Sequence, residues 1–466
     1  MYNVERDITT TNGRSERMKG KVTILLTLIM VLLMATPTLA ANLEFNGKPY
    51  QPKQAPSIES GVTRVTPDVI MNFLGCDVAV EGDSITITEN DKTIQMTVGS
   101  TAAVVNGETL TMPLAPDVME GKTYIPLRFV FEAVGASVSW DGDTSTISVA
   151  YNETRDGMTA EEVMAKSSAM ITQAGRYKMT ADMQIDMDMT AKATGEEDQT
   201  MKMNMDSDVE AWLQIEPMLM YMKQTSVVNA PESPAPEPQT IRMEMLFNED
   251  GVFMNMPETG WLKMNLEGLN LEELMKQSMT QDPVAAMKQI KEMGIALTFA
   301  NDQQKDGKEY WVLNGVMGGD IFKSDYFKGI MQQIPSMDQD VDMQKILEGM
   351  ELDFVYSVWI DKATFYNDYM DLAGNIKFNM DIPATAQSPA AAIDMAMAMQ
   401  GTYTMSDYGL AFTVPEVKDA RDYEDFLAEQ MQQLNPAPST ELVPEQEPEQ
   451  ESEQTPEQLP EQEPQD

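Results

Sequence analysis

From Tyr177 to Met189 the chain alternates without a break. Tyr177, Met179, Ala181, Met183, Ile185, Met187 and Met189 are apolar or aromatic, and Lys178, Thr180, Asp182, Gln184, Asp186 and Asp188 fill the positions between them. A period of two sends successive side chains to opposite faces, so the stretch predicts a long strand or hairpin with one apolar and one acidic face. Similar alternation returns at Met201–Met205, Val209–Ile215, Met218–Met222, Met243–Phe247, Val252–Met256, Tyr310–Val316, Phe354–Ile360, Asn375–Ile382 and Tyr403–Val414. Together these segments predict one large antiparallel sheet. A helix should precede it: Thr159-Ala-Glu-Glu162 reads as a capping box, Val163, Ser167, Met170 and Ala174 share a helical face, and Gly175 stops the helix. Helical patterns also interrupt the sheet near Leu271–Met293 and Met343–Met350, Pro231–Pro238 reads as a loop, and Asp422–Leu434 reads as a closing helix.

Upstream of this region the chain repeats itself. Residues 42–90 lie over 102–150 at an offset of 60 without a gap, matching Asn46/Asn106, Gly47/Gly107, Pro56/Pro116, Gly61/Gly121, Gly75/Gly135, Gly82/Gly142 and Asp83/Asp143. Each copy has an Asn-Gly turn, a short apolar helical segment (Val69 to Leu74, Phe129 to Val134) and an alternating strand after a Gly-Asp turn. One small domain of two ββαβ-like units follows from this pattern. At the amino end, Lys19 and Lys21 precede the apolar run Val22 to Met34, which leads to Pro37-Thr38-Leu39-Ala40-Ala41. That is the layout of an export signal cut after Ala40, and its apolar core is too short to span a bilayer comfortably. Met18 is the better natural start. At the other end, Pro436–Asp466 is composed mainly of Pro, Glu and Gln and is expected to be disordered.

The fold class expected is therefore α+β. The divisions are a signal region over 1–40, a two-repeat β-rich domain over 42–150, a large antiparallel sheet with helices over 158–416, and an acidic tail over 436–466.

Composition narrows the chemistry. A formal charge of −43, from 75 acidic against 32 basic residues, repels nucleic acid and anionic lipid surfaces. The chain has no histidine and a single cysteine, Cys76, so Ser-His-Asp, Cys-His and histidine-metal mechanisms are excluded, as is an internal disulfide. No catalytic residue, metal ligand set or cofactor site is assigned. The 42 methionines leave two readings open. One is an adaptable apolar core or greasy cavity. The other is a thioether site for Cu(I) at Met201/Met203/Met205, Met218/Met220/Met222 and Met395/Met397/Met399. Acidic clusters at Asp338/Asp340/Asp342 and Asp141/Asp143 invite a calcium reading, but the first lacks the glycine and distal glutamate of a calcium loop and the second fits a hairpin turn. Arg128, beside Pro126, reads as a turn anchor, Cys76 as a buried apolar residue, and most of the five tryptophans as core.

The second repeat carries a recognisable string: Tyr124-Ile-Pro-Leu-Arg128, Glu132-Ala-Val-Gly135 and Val138-Ser-Trp140-Asp141. It resembles the amino-terminal stalk module of copper amine oxidases, over about 42–150. The first copy departs from that module, with Val65-Thr66-Pro67-Asp68 and Val80 at the matching positions. The resemblance implies an accessory domain of secreted Gram-positive envelope proteins. It does not imply amine oxidation, because the histidines that hold copper in those enzymes are missing. The helix-first sheet, with Gly260-Trp261-Leu262-Lys263-Met264 as a turn and Val358-Trp359-Ile360-Asp361 before a hairpin, resembles the half-barrel carriers of the LolA and LppX kind over about 158–416. That resemblance implies an acyl chain or lipid held against the concave sheet.

The function expected is a secreted, non-catalytic envelope protein that holds a hydrophobic ligand such as lipid on an apolar face. Its lining residues are Met179, Met183, Met187, Met203, Met220, Met245 and Met254. A cell-wall component is a further candidate partner, and the chain is not expected to span the membrane once its signal is removed. The alternatives are a structural cell-wall stalk without a small ligand and a methionine-based Cu(I) binder.

Overall fold

The computed structural model describes residues 42–193, 198–231, 237–257, 259–264, 295–318, 349–382 and 391–434, with isolated positions at 287–288, 292, 321 and 324. The export signal, the core of the Pro231–Pro238 loop, nearly all of the two predicted helices near Leu271–Met293 and Met343–Met350, the Asp338–Asp342 cluster and the tail from Pro436 lie outside the described residues.

The repeat is visible element by element. Each copy runs through four short strands, a helix and two further strands: Asn42–Phe45 matches Ala102–Val105, helix α1 (Pro67–Leu74) matches helix α2 (Leu127–Val134), and Asp77–Glu81 matches Ser137–Asp141. This is richer than the ββαβ unit expected. The additional strands, such as Lys48–Tyr50 and Ser57–Glu59, are only 3 residues long and too brief to show a period. The copies also exchange strands. Asn42–Phe45 of the first copy pairs in parallel with Thr146–Ala150 of the second, while Ala102–Val105 of the second joins the first copy's sheet through Lys92–Thr97. Val65 and Ile125 are partners where the copies meet. Neither copy closes a core alone. Instead Phe45 stacks on Phe73 at 3.3 Å between ring centres and meets Phe131 edge-on at 5.0 Å, so both helices pack into one interior.

Smaller expectations resolve here. Asp141 accepts the backbone N–H groups of Asp143 and Thr144, the hydrogen bonds of a tight turn, which hold its carboxyl below the usual range. Arg128 donates to the Val138 carbonyl and to Glu132 at 3.1 Å, tying α2 to the next strand. Trp140 is 48 % exposed on an edge strand, so it is not a core residue. Trp311, at 3 %, is one.

Helix α3 (Ala160–Ala174) begins with the predicted capping box: Thr159 accepts the Glu162 N–H, and Glu162 reaches back to the Thr159 N–H. It leads into the large sheet, which has 13 strands among the described residues. The order across it starts at Ala296–Phe299 and passes through Lys308–Gly318, Glu351–Asp361, Asn367–Ile382 and Ala391–Ser406 to Arg176–Ala193. It continues through Gln199–Gln214, Leu219–Asn229, Gln239–Asn248, Gly251–Met256 and Gly260–Met264 to Arg421–Asp422. All neighbours are antiparallel except the last pair. Two meanders are thus joined where Ala391–Ser406 pairs with the first strand over 16 residue pairs, from Lys178↔Ser406 to Ala193↔Ala391. Among the described residues the terminal strands do not pair with each other, which leaves a curled half-barrel and not a closed one. Two boundaries differ from expectation. The strand sought at Tyr403–Val414 is the end of Ala391–Ser406 and stops at a turn where Asp407 and Gly409 have positive φ, and Gly260–Met264 is a strand, not a turn.

The stalk and the sheet are fastened together. Val316 belongs to the stalk's core and Val355 packs against it. Asn314 donates to the Asn72 carbonyl of α1. Asn301 donates to Asp77 at 2.9 Å and to the Thr88 carbonyl at 3.2 Å, and accepts from the Asn90 N–H at 2.6 Å. Arg155, between the units, pairs with Asp302 at 2.6 Å and with Glu153 at 2.8 Å. Cys76, next to this junction, is buried, and burial first, then the Glu89 charge, pushes its thiol up to about 12. Because the thiolate is the reactive form, Cys76 should be inert to a maleimide at pH 8 in the folded chain and label fully in denaturant; rapid labelling of the native protein would contradict this burial.

Candidate ligand-binding face

The seven methionines singled out from the sequence stand on one face, because paired residues in adjacent strands project to the same side. Met179 lies in a row that runs Met405, Met179, Ala211, Met222, Met245, Met254, Leu262 across seven strands. At a strand spacing of about 4.8 Å this row extends roughly 29 Å. Met220 lies in the neighbouring row between Leu213 and Phe247. Farther along the same strands, Met187 sits between Met397 and Met203, and Met189 between Met395 and Met201. Met183 stands opposite Gly401, and the absence of a side chain there leaves room for Met183 and for the Tyr403 ring, whose hydroxyl donates to the Met183 sulfur at 3.3 Å.

Burial varies along the face. At one end α3 packs on it, with Ala160 and Val163 against Leu297, Phe299, Leu313 and Val358. At another, Met218, Phe247 and Val252 are buried with Met220, Met245 and Met264 around them. Between these ends Met179, Met183, Met187 and Met203 are half-buried. Met218 belongs to a turn, so the Met218/Met220/Met222 triplet is not one strand face, whereas Met201/Met203 and Met395/Met397 are brought together on either side of Met187 and Met189.

The sequence reading missed one polar spot. Beside Met183, Ser207 and Ser226 are buried and share a hydrogen bond of 2.7 Å, and Gln224 donates to Ser226 at 3.0 Å. The available signal was a break in alternation, since these residues occupy apolar-phase positions. The opposite face is charged, with ion pairs such as Lys178–Glu210 at 2.6 Å and Lys192–Asp394 at 2.6 Å. Among the described residues no group of three or more His, Cys, Asp or Glu is placed to hold a metal, and no helix is long and apolar enough to cross a membrane.

Residues 44–149 match the copper amine oxidase N-terminal domain, as the Ile-Pro-Leu-Arg to Val-Ser-Trp-Asp string implied. Residues 159–422 match a family described as being of unknown function (DUF6612). Among solved structures the chain is similar to the lipoprotein LppX of Mycobacterium tuberculosis, at 10% identity over 55% of this chain and 98% of that one, with a TM-score of 0.23. It is similar to LprF of Mycobacterium bovis at 13% identity over 55% and 96%, with a TM-score of 0.24. A LolA superfamily protein of Nitrosomonas europaea follows at 9% identity over 55% and 96%, with a TM-score of 0.14. No curated protein matches the chain.

Proposed function

The chain belongs to the DUF6612 family, of unknown function, so its role must be argued from its own residues, and we propose that it binds a hydrophobic ligand, such as a lipid, on the methionine face of the sheet. The observation that carries this reading is the registered apolar row from Met405 to Leu262, half-buried at its centre. Ligand sites of this type are mostly apolar with a few convergent polar groups. Unbranched methionines adapt to chains of varied shape, and Ser207, Ser226 and Gln224 would receive a polar end group beside Met183. The protein acts without catalysis, in keeping with the lack of histidine. It works outside the cytoplasm of a Gram-positive cell, in keeping with the export-like amino end and the stalk. A cell-wall component reached through the stalk is part of this proposal.

A second reading has its own support. The registered trios Met395/Met189/Met201 and Met397/Met187/Met203 put thioethers side by side, as a Cu(I) site needs. Native mass spectrometry of the secreted chain, compared with the denatured sample, tests both. A lipid-sized adduct lost on denaturation is the expected result. A bare mass that stays bare after incubation with lipid and with Cu(I) would remove both and leave a structural stalk.

A further inference from the structure

We infer that the face opposite the methionines carries a second, separate site, a trough that takes a segment of neutral glycan. The trough has a volume of about 450 Å³ and crosses five adjacent strands. Its floor is a single register row, Asn314, Ser357, Asp371, Thr402 and Asp182, each the partner of the next. At about 4.8 Å per strand the row is roughly 19 Å long, the scale of an oligosaccharide and not of one sugar. A second row, Ala373, Gln400 and Gln184, forms its flank on the side of the stalk. Two residues along the strands in the other direction the same face presents Trp359 beside Tyr369, ring centres 5.7 Å apart, with Tyr310 5.7 Å from Tyr369.

The chemistry of this lining selects its ligand. Among the described residues no lysine or arginine lines the trough, so an anionic ligand would find no counter-charge there. Asp182 and Asp371 stand two strands apart, about 10 Å, too far to share a cation whose oxygen ligands sit at about 2.3–2.6 Å. What remains is hydroxyl and amide recognition: carboxylates accept from hydroxyl groups, and side-chain amides both donate and accept. Part of that capacity is spent within the protein, since Gln400 donates to Gln184 and the buried Asn314 donates to the Asn72 carbonyl, and the carboxylates and the threonine hydroxyl hold the rest. Among the described residues Asp182 and Thr402 have no side-chain partner, and Asp371 has only Ser357 at 3.3 Å. The half-buried rings of Trp359 and Tyr369, backed by the buried Tyr310, offer flat apolar surface to the C–H faces of a sugar ring. In the free protein the Lys305 ammonium covers Tyr369 at 3.6 Å from the ring centre. Lys305 belongs to the exposed hairpin strand Gln303–Lys305, so its long side chain can move aside.

The test is calorimetric titration of the full chain with two soluble neutral probes, a chito-hexaose and a cello-hexaose, and with spermine as a cationic control. Saturable binding of at least one hexaose is expected. Asp371→Ala and Thr402→Val, both at exposed positions, should each weaken it about tenfold, the loss of one hydrogen bond to a charged or well-placed group. Lys305→Ala should leave it equal or tighter. Met187→Asp, on the other face, should not change it, which separates this site from the proposed lipid site. Should Asp371→Ala misfold by circular dichroism, Asp182→Asn and Thr402→Val carry the same expectation. Absence of saturable binding to both hexaoses, binding unaltered by the trough substitutions, or binding of spermine alone would overturn the inference.

Discussion

Gly75→Ala is expected to loosen the stalk from the sheet and to lower the thermal midpoint by roughly 10 °C. Gly75 ends α1 in the left-handed region at φ 55°, ψ 24°, with its N–H donating to Met71 and its carbonyl accepting the Asn301 N–H. An added Cβ would lie 2.5 Å from the Ala300 Cβ and 2.7 Å from its Cα, and backbone cannot step aside as a flexible side chain can. Left-handed backbone costs an alanine about 1 kcal/mol, and overpacking of a close contact adds about 1–3 kcal/mol. Together these reach about 3 kcal/mol, which in a unit of 150–250 residues is roughly 6–12 °C. The repeat provides an internal control. Gly135 ends α2 at the equivalent place, also with positive φ, but a Cβ there meets nothing within 4 Å. Gly135→Ala therefore carries backbone strain alone. Differential scanning calorimetry, together with the rate of proteolysis across 151–158, should show Gly75→Ala as the more damaging variant and the only one that opens the connection. Equal losses in the two variants, with no gain in cleavage, would mean the close approach at Ala300 does not hold the units together.

The way the units join bears on function. The stalk meets the sheet through Asn314, Val316 and Val355, which project to the face opposite the methionines. That face is also sheltered elsewhere by the chain's return: Val414, Val417 and Ala420 pack over Trp212, Tyr221, Leu246 and Phe253. The apolar rows around Met187 are therefore free of both attachments. The stalk can fix the orientation of the sheet without entering the face proposed to hold ligand.

Local pattern made part of this arrangement legible. Alternation from Tyr177 to Met189 was enough to assign every methionine there to one side, because a period of two leaves no other assignment, and Thr159 with Glu162 marked the start of α3. The pairing of Ala391–Ser406 with Arg176–Ala193 was not legible, since it joins residues about two hundred positions apart and alternation does not name its partner. Met395, Met397 and Met399 were recognised as a face, but not as the neighbours of Met187 and Met189. The junction was hidden for a different reason. Nothing in the local pattern of Ala300, Asn301 and Asp302 names Gly75, which lies far from them in the chain and meets them only in the fold. The trough was overlooked because Asp182, Asp371 and Thr402 each look like the solvated half of an amphipathic strand; only register places them on one line.

Met187→Asp is expected to abolish retention of a hydrophobic ligand, and a companion substitution at the same place distinguishes the two readings of the methionines. Met187 lies between Met397 and Met203 on the half-buried part of the face. An ionised carboxylate placed against an acyl chain loses hydration with no compensating partner, a penalty of several kcal/mol, so the fraction of chain carrying a lipid adduct should fall by at least about a hundredfold in affinity. Because the position is half-buried, the folded state can leave the new carboxylate partly hydrated when empty, and the thermal midpoint should fall far less than binding does. Met187→Leu keeps volume and apolarity but removes the sulfur. Combined with Met189→Leu and Met397→Leu, it should leave lipid retention within about twofold while removing the central sulfur of both registered trios, since leucine offers no ligand atom to Cu(I). Native mass spectrometry and titration with a neutral naphthylamine dye read both effects on the same samples. Lipid lost in the aspartate variant and kept in the triple leucine variant identifies apolar surface as the recognised feature. Cu(I) retained by the wild type and lost in the triple leucine variant would instead make the registered sulfurs the site.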